Sequence, residues 1–123
     1  MRKHVANITI KTAKKSRYPV FRHGAVLESG GRIIAKGINV EKSRTPDASM
    51  SVHAEVAALK RLITKGRLKR DICVNIYVAR VSPAERVVLS KPCDKCLKAL
   101  RESGMVRSIF YSMNDGSWQE VRI

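Results

Sequence analysis

Apolar positions recur with two periods along this chain, and the switches between them predict its elements. From Arg2 to about Ser16, Val5, Ile8, Thr12 and Ala13 fall close to one helical stripe. Pro19 marks the end of that helix, because the residue before a proline is pushed out of helical geometry. His23 to Glu28 then reads as a strand, Ser29-Gly30-Gly31 as a turn, and Arg32 to Gly37 as the second strand of a hairpin. Asn39 follows directly. Val40 to Ser51 turns polar around Pro46, which predicts a loop. Ser51 is placed to cap a second helix, in which Ala54, Ala57, Ala58 and Leu59 are good helix formers and which Gly66 closes.

The second half repeats the alternation. Asp71 to Val81 is an apolar, β-branched run of the kind buried at a sheet centre. Ser82 to Ser90 contains Pro83 and predicts a loop whose Val87-Val88-Leu89 can face solvent. Pro92 suits the first turn of a helix running to about Glu102, ended by Gly104. Val106 to Met113 is a further strand, Asn114-Asp115-Gly116 a turn, and Trp118 to Ile123 a last short strand. A parallel crossover needs about 10–12 residues or more, and far fewer separate Met113 from Trp118. That last strand, if formed, must run antiparallel. The expected class is α/β: three layers, α-β-α, around a mixed sheet of four to five strands, in one domain spanning 1–123.

Charge changes this picture. Twenty-five basic against ten acidic residues give a net +15, a field that attracts polyanions and often marks a nucleic-acid partner. The plainer reading is a basic, soluble surface with no partner. Arg2, Lys3, Lys11, Lys14, Lys15 and Arg17 occur with no acid between them, and Lys60, Arg61, Lys65, Arg67, Lys69 and Arg70 form a second cluster. No apolar run approaches the about 20 residues of a membrane span, and Met1-Arg2-Lys3 leads into a polar helix rather than a secretory leader. A cytoplasmic protein of bacterial or phage type is expected. Three cysteines fit a reducing compartment, and Cys73, within an apolar run, reads as buried core.

The candidate chemistry lies in His53-Ala54-Glu55 and Pro92-Cys93-Asp94-Lys95-Cys96. Cysteines three apart on a helix project from one face and can grip one ion. Cys93, Cys96 and the His53 imidazole make three protein ligands for zinc, which leaves one tetrahedral position for water, as in a catalytic site. Glu55 could face that water without ligating the metal and exchange its proton near neutral pH. Alone, Cys93-x-x-Cys96 also suits a redox pair or a structural zinc, and a His-x-Glu occurs by chance in many helices. A redox pair would need neither the upstream His53-x-Glu55 nor the helix start ahead of it.

H-x-E followed by P-C-x-x-C is a known signature of zinc-dependent nucleobase deaminases. In these residues, and in the order of its elements through Phe110, the chain resembles the cytidine/deoxycytidylate deaminase superfamily. The resemblance implies hydrolysis of cytosine to uracil, with a zinc-activated water adding at C4 and Glu55 shuttling protons. It further implies that the Ala54 backbone N–H holds the pyrimidine O2, that Asn39 binds the sugar, and that His23 forms a pocket wall against the base. A turn residue capping a strand end is the plainer role for Asn39, and a structural histidine the plainer one for His23. Tyr77 and Trp118 read as core rather than base-stacking platforms. Relatives acting on tRNA adenosine usually carry Met before the second cysteine. Lys95 stands there, which favours cytosine, and Lys91 puts a cation at the pocket mouth. In deoxycytidylate-deaminase-like relatives a helix precedes a parallel fifth strand, from which this chain departs. The leading expectation is a cytosine deaminase acting on DNA. The alternatives are a deaminase of free deoxycytidylate or cytidine, which in this superfamily completes its pocket from neighbouring subunits, and a non-catalytic zinc-stabilised nucleic-acid-binding module.

Overall fold

The computed structural model describes residues 1–16, 22–39, 74–92 and 94–123. Among the described residues two helices and six strands run in the order α1 (Lys3–Ala13), β1 (Arg22–Ser29), β2 (Arg32–Ile38), β3 (Val74–Val81), β4 (Val87–Val88), α2 (Asp94–Ser103), β5 (Val106–Ser112) and β6 (Trp118–Arg122). The predicted loop from Val40, the helix after Ser51, its basic cluster and Cys73 lie outside the described residues.

The strands form one mixed sheet in the order β2-β1-β3-β5-β6. β1 is antiparallel to both β2 and β3, and β3 and β5 are the parallel pair. β6 folds back antiparallel on β5 from Ser112↔Trp118, as the short connection required. One strand was not foreseen. Val87-Val88 pairs with Arg80 and Val81, where β3 has run past its last pairing with β5 at Val78. The exposed ladder at the end of β3 thereby gains a partner, and the apolar trio is half-buried except for Leu89.

Side chains alternate across strands, so each face of the sheet collects its own core. On one face Ala25, Leu27, Val74, Ile76, Val78, Val106 and Ile109 pack with Leu100 of α2. On the other, Val26 and Tyr77 pack with Val5 and Ala6 of α1, bordered by Phe110 and Trp118. The three layers expected from the sequence are therefore present. Tyr77 is core, its ring stacked on Phe110 at a centroid distance of 4.8 Å.

α1 buries two threonines without leaving their hydroxyls unsatisfied. Thr9 and Thr12 donate one turn back, to the carbonyls of Val5 at 2.7 Å and Ile8 at 2.8 Å. The helix lies so close to β1 that a Cβ on Gly24 would stand 2.3 Å from the Ala13 nitrogen. Gly30 and Gly31 both hold the left-handed conformation that the tight β1–β2 turn requires. Beside that turn the buried Glu28 carboxylate accepts from Gly31 N–H at 2.7 Å and Asn75 Nδ2 at 3.0 Å, and meets Arg2 Nε at 3.2 Å. A buried carboxylate with three such partners is a staple between hairpin, helix and sheet.

Candidate functional site at the carboxyl edge of the sheet

The carboxyl ends of the parallel strands gather the polar groups that the fold positions. Cys96 sits in the first turn of α2, 4% exposed, and Leu100 one turn later anchors the helix in the aliphatic core. Backbone N–H groups and the positive dipole end at such a turn favour a thiolate. A buried soft donor at a helix start is therefore suited to a metal, and this is the one member of the predicted ligand set among the described residues. His53, Glu55, Ala54 and Cys93 lie outside them. Among the described residues no three His, Cys, Asp or Glu side chains converge.

The segment leading to α2 is pinned by two serines that the sequence reading did not single out for this role. Ser90 Oγ donates to the Val78 carbonyl of β3 at 2.8 Å, and Ser112 N–H donates to Ser90 Oγ at 2.8 Å. Ser90 N–H in turn donates to the Ser112 carbonyl at 2.9 Å, while Ser112 Oγ donates to the Val88 carbonyl at 2.7 Å. Both serines are buried. The chain is thus tied to the ends of β3 and β5 three residues before Cys93. A small polar residue directly after the apolar run Ile109-Phe110-Tyr111 was the available sequence signal.

A second polar corner lies on the same edge, since Arg22 at the start of β1 pairs with Val81 at the end of β3. Here Asn39, 5% exposed, joins the start of β1 to the end of β2 and the chain after α1. Its Oδ1 accepts from His23 N–H at 2.9 Å and Ser16 Oγ at 2.6 Å, and its own N–H donates to the His23 carbonyl at 3.2 Å. The strand-capping role weighed for Asn39 is therefore what the geometry displays. His23 is half-buried beside it. The structure brings Asn39 and His23 together and puts Cys96 on the same sheet edge. Lys91 and Lys95 are exposed near the start of α2. Tyr77 lies in the core on the α1 face, with Trp118 half-buried at the border of the same cluster.

The same fold recurs in solved structures. The chain is similar to a cytidine deaminase from Burkholderia pseudomallei, at a TM-score of 0.76 and 18% identity, covering 99% of this chain and 92% of that one. It is also similar to a cytidine deaminase from Mycobacterium leprae, at a TM-score of 0.62 and 20% identity over 96% of this chain and 91% of that one. A dCMP deaminase from the cyanophage S-TIM5 matches at a TM-score of 0.56 and 19% identity, over 89% and 86% of the two chains. At these identities the likeness establishes a cytidine-deaminase-like fold.

The family follows from the sequence match. Residues 1–113 match the cytidine and deoxycytidylate deaminase zinc-binding region, and the chain belongs to that family. It is an enzyme of a family whose matching region binds zinc. Among curated proteins it is 33% identical over 89 residues to a tRNA(Ile)-lysidine synthase from Deinococcus deserti, covering 72% of this chain and 14% of that protein. The chain thus spans about a seventh of the length of that relative.

Proposed function

We propose that this protein hydrolyses cytosine to uracil in DNA. The chemistry rests on His53-x-Glu55 and Pro92-Cys93-x-x-Cys96 standing intact within the family match over residues 1–113. The polymer rests on the net charge of +15. His53, Cys93 and Cys96 would hold zinc, which when bound would supply a Lewis acid and lower the pKa of a water to about 7. Glu55 takes one proton from the water that adds at C4 and delivers it to N3, then takes the second from the resulting C4 hydroxyl and gives it to the exocyclic amine. The C4–N4 bond breaks, ammonia leaves, and the oxygen of water stays on C4. The Ala54 N–H holds O2 of the ring, Asn39 hydrogen-bonds the sugar, and His23 closes the pocket against the base. Ser90 and Ser112 keep the Cys93–Cys96 segment in register with the sheet. The whole chain acts as one domain.

A second reading, deamination of free deoxycytidylate or cytidine by an oligomer, draws on the similarity to a cytidine deaminase over nearly the whole of both chains. A substrate panel at low salt separates the readings: cytidine, deoxycytidine monophosphate, single-stranded DNA, duplex DNA and RNA. RNA belongs in it because the curated relative is a tRNA(Ile)-lysidine synthase. Turnover of DNA is expected, lost by about 10²-fold or more in Glu55→Ala with zinc retained. Turnover confined to monomers would overturn the DNA reading, and a zinc-loaded protein inert on every cytosine substrate would overturn deamination.

A further inference from the structure

The geometry points to the outer face of α1 as a track for the phosphate backbone of a single-stranded nucleic acid, leading to the Asn39 corner. The inference rests on the DNA reading above. At 3.6 residues per turn, Lys3, His4, Asn7, Lys11 and Lys14 occupy roughly a third of the helix circumference. The buried set Val5, Ala6, Thr9, Thr12 and Ala13 takes the opposite side, and Lys15 extends the exposed face into the following turn. From Lys3 to Lys14 the track is about 16 Å long.

Its charge is of one sign. No acid precedes Glu28 in the chain, and among the described residues none of Lys3, Lys11, Lys14 and Lys15 faces a carboxylate. Arg2 differs, since Glu28 holds it at 3.2 Å. The outer face of α2 shows what an ordinary solvated helix looks like here, with exposed Lys95, Lys98 and Arg101 mixed with Asp94 and Glu102. Clustered like charges repel one another and are relieved by an anionic partner. A mononucleotide carries its charge at one point and needs no track of this length, whereas a polymer offers successive phosphates.

The track also has a direction. Just past Lys14 and Lys15, Ser16 Oγ donates to Asn39 Oδ1 at 2.6 Å and lies 3.1 Å from the Asn39 carbonyl. A strand lying along α1 therefore arrives at the residue assigned to the sugar. Phosphate contacts of this kind fix position and carry no base sequence, so binding along α1 should be independent of sequence.

The test uses the zinc-loaded full chain and oligothymidylate, which contains no cytosine, so that binding is read apart from deamination. The variant replaces Lys3, Lys11, Lys14 and Lys15 with Gln, a residue of similar helix propensity. Its melting temperature and zinc content serve as folding controls. The slope of log affinity against log salt should shrink by about 0.7 for each lost contact, two to three in all. Affinity at low salt should fall by at least about tenfold. Lys98→Gln with Arg101→Gln on α2 should change the slope far less. An unchanged slope in the α1 variant, an equal loss in the α2 variant, or no binding of oligothymidylate by the native protein would each overturn the track. If the native protein deaminates only monomers yet binds oligothymidylate through α1, the DNA reading fails and the track stands.

Discussion

The two faces of the sheet hold their helices by different means. α2, which carries Cys96, rests on an aliphatic bed of Ala25, Leu27, Ile76, Val78 and Ile109. Such a bed supplies affinity without direction, since apolar contact scales with area. Position comes instead from the polar tie of Ser90 and Ser112 just ahead of the helix. α1 is located by shape: the gap over Gly24 admits its backbone and no side chain, and Arg2 and Glu28 peg its start. The lesson is that the face bearing the proposed ligand Cys96 is aligned through its approaching loop, while the other is aligned by direct helix–strand contact.

Each half of that contrast can be broken separately. Gly24→Ala should do the most damage to the fold, at or beyond the upper end of the about 1–3 kcal/mol typical of overpacking. The added Cβ meets Ala13 backbone at 2.3 Å, and backbone cannot swing aside as a side chain can. Urea unfolding should show the loss with zinc stoichiometry unchanged in the folded fraction. A Gly24→Ala protein as stable as the native one would remove close approach as the device that seats α1.

Ser90→Ala should give the reverse pattern. It removes the donor to the Val78 carbonyl and the acceptor of Ser112 N–H, costing about 1–3 kcal/mol. The more telling readout is zinc affinity, measured by chelator competition, which should drop by about tenfold as for other residues that orient ligands. Ser90→Thr should recover part of it. Lowered stability with native zinc affinity would make Ser90 a packing residue only.

The smallest effect is one of pH. Burial, the largest cause, pushes the Tyr77 phenol above its usual value near 10, and the Arg2 N–H donating to its oxygen at 2.9 Å partly offsets this. Below that usual value both folded and unfolded chains keep the proton, so Tyr77 adds no slope. As pH rises past it the unfolded chain loses its proton first, and stability falls until the folded phenol titrates as well. Tyr77→Phe should flatten that alkaline decline, losing one hydrogen bond worth about 0.5–1.5 kcal/mol at neutral pH. An alkaline limb identical in the two proteins would show that Tyr77 stays accessible to ionisation when folded.

Local pattern carried most of the fold. Periodicity and punctuation located both described helices and five of the six strands within a few residues, because amphipathic stripes and Gly, Pro and Asn turns act over neighbouring positions. The antiparallel last strand followed from chain length alone. β4 escaped, since Val87-Val88 is a strand only by virtue of a ladder end at Arg80 and Val81, which no local window contains.

The candidate site divides the same way. The proposed ligands His53, Cys93 and Cys96 and the proposed acid Glu55 rest on the sequence pattern, because metal chemistry restricts residue type and spacing severely, and of these only Cys96 lies among the described residues. Asn39 was legible as a polar residue ending a hairpin, though both a sugar contact and a cap fitted that position. Only tertiary structure turned its Oδ1 toward His23 and Ser16, and only tertiary structure made Ser90 and Ser112 partners across 22 residues of chain. It also decided which basic residues share a face: the sequence counts them, but the burial of Val5, Thr9 and Ala13 against the sheet is what leaves four lysines of α1 and its following turn facing water. Residue types set what chemistry is available, and packing decides which groups meet, because hydrogen bonds and fields depend on distances that chain order does not contain.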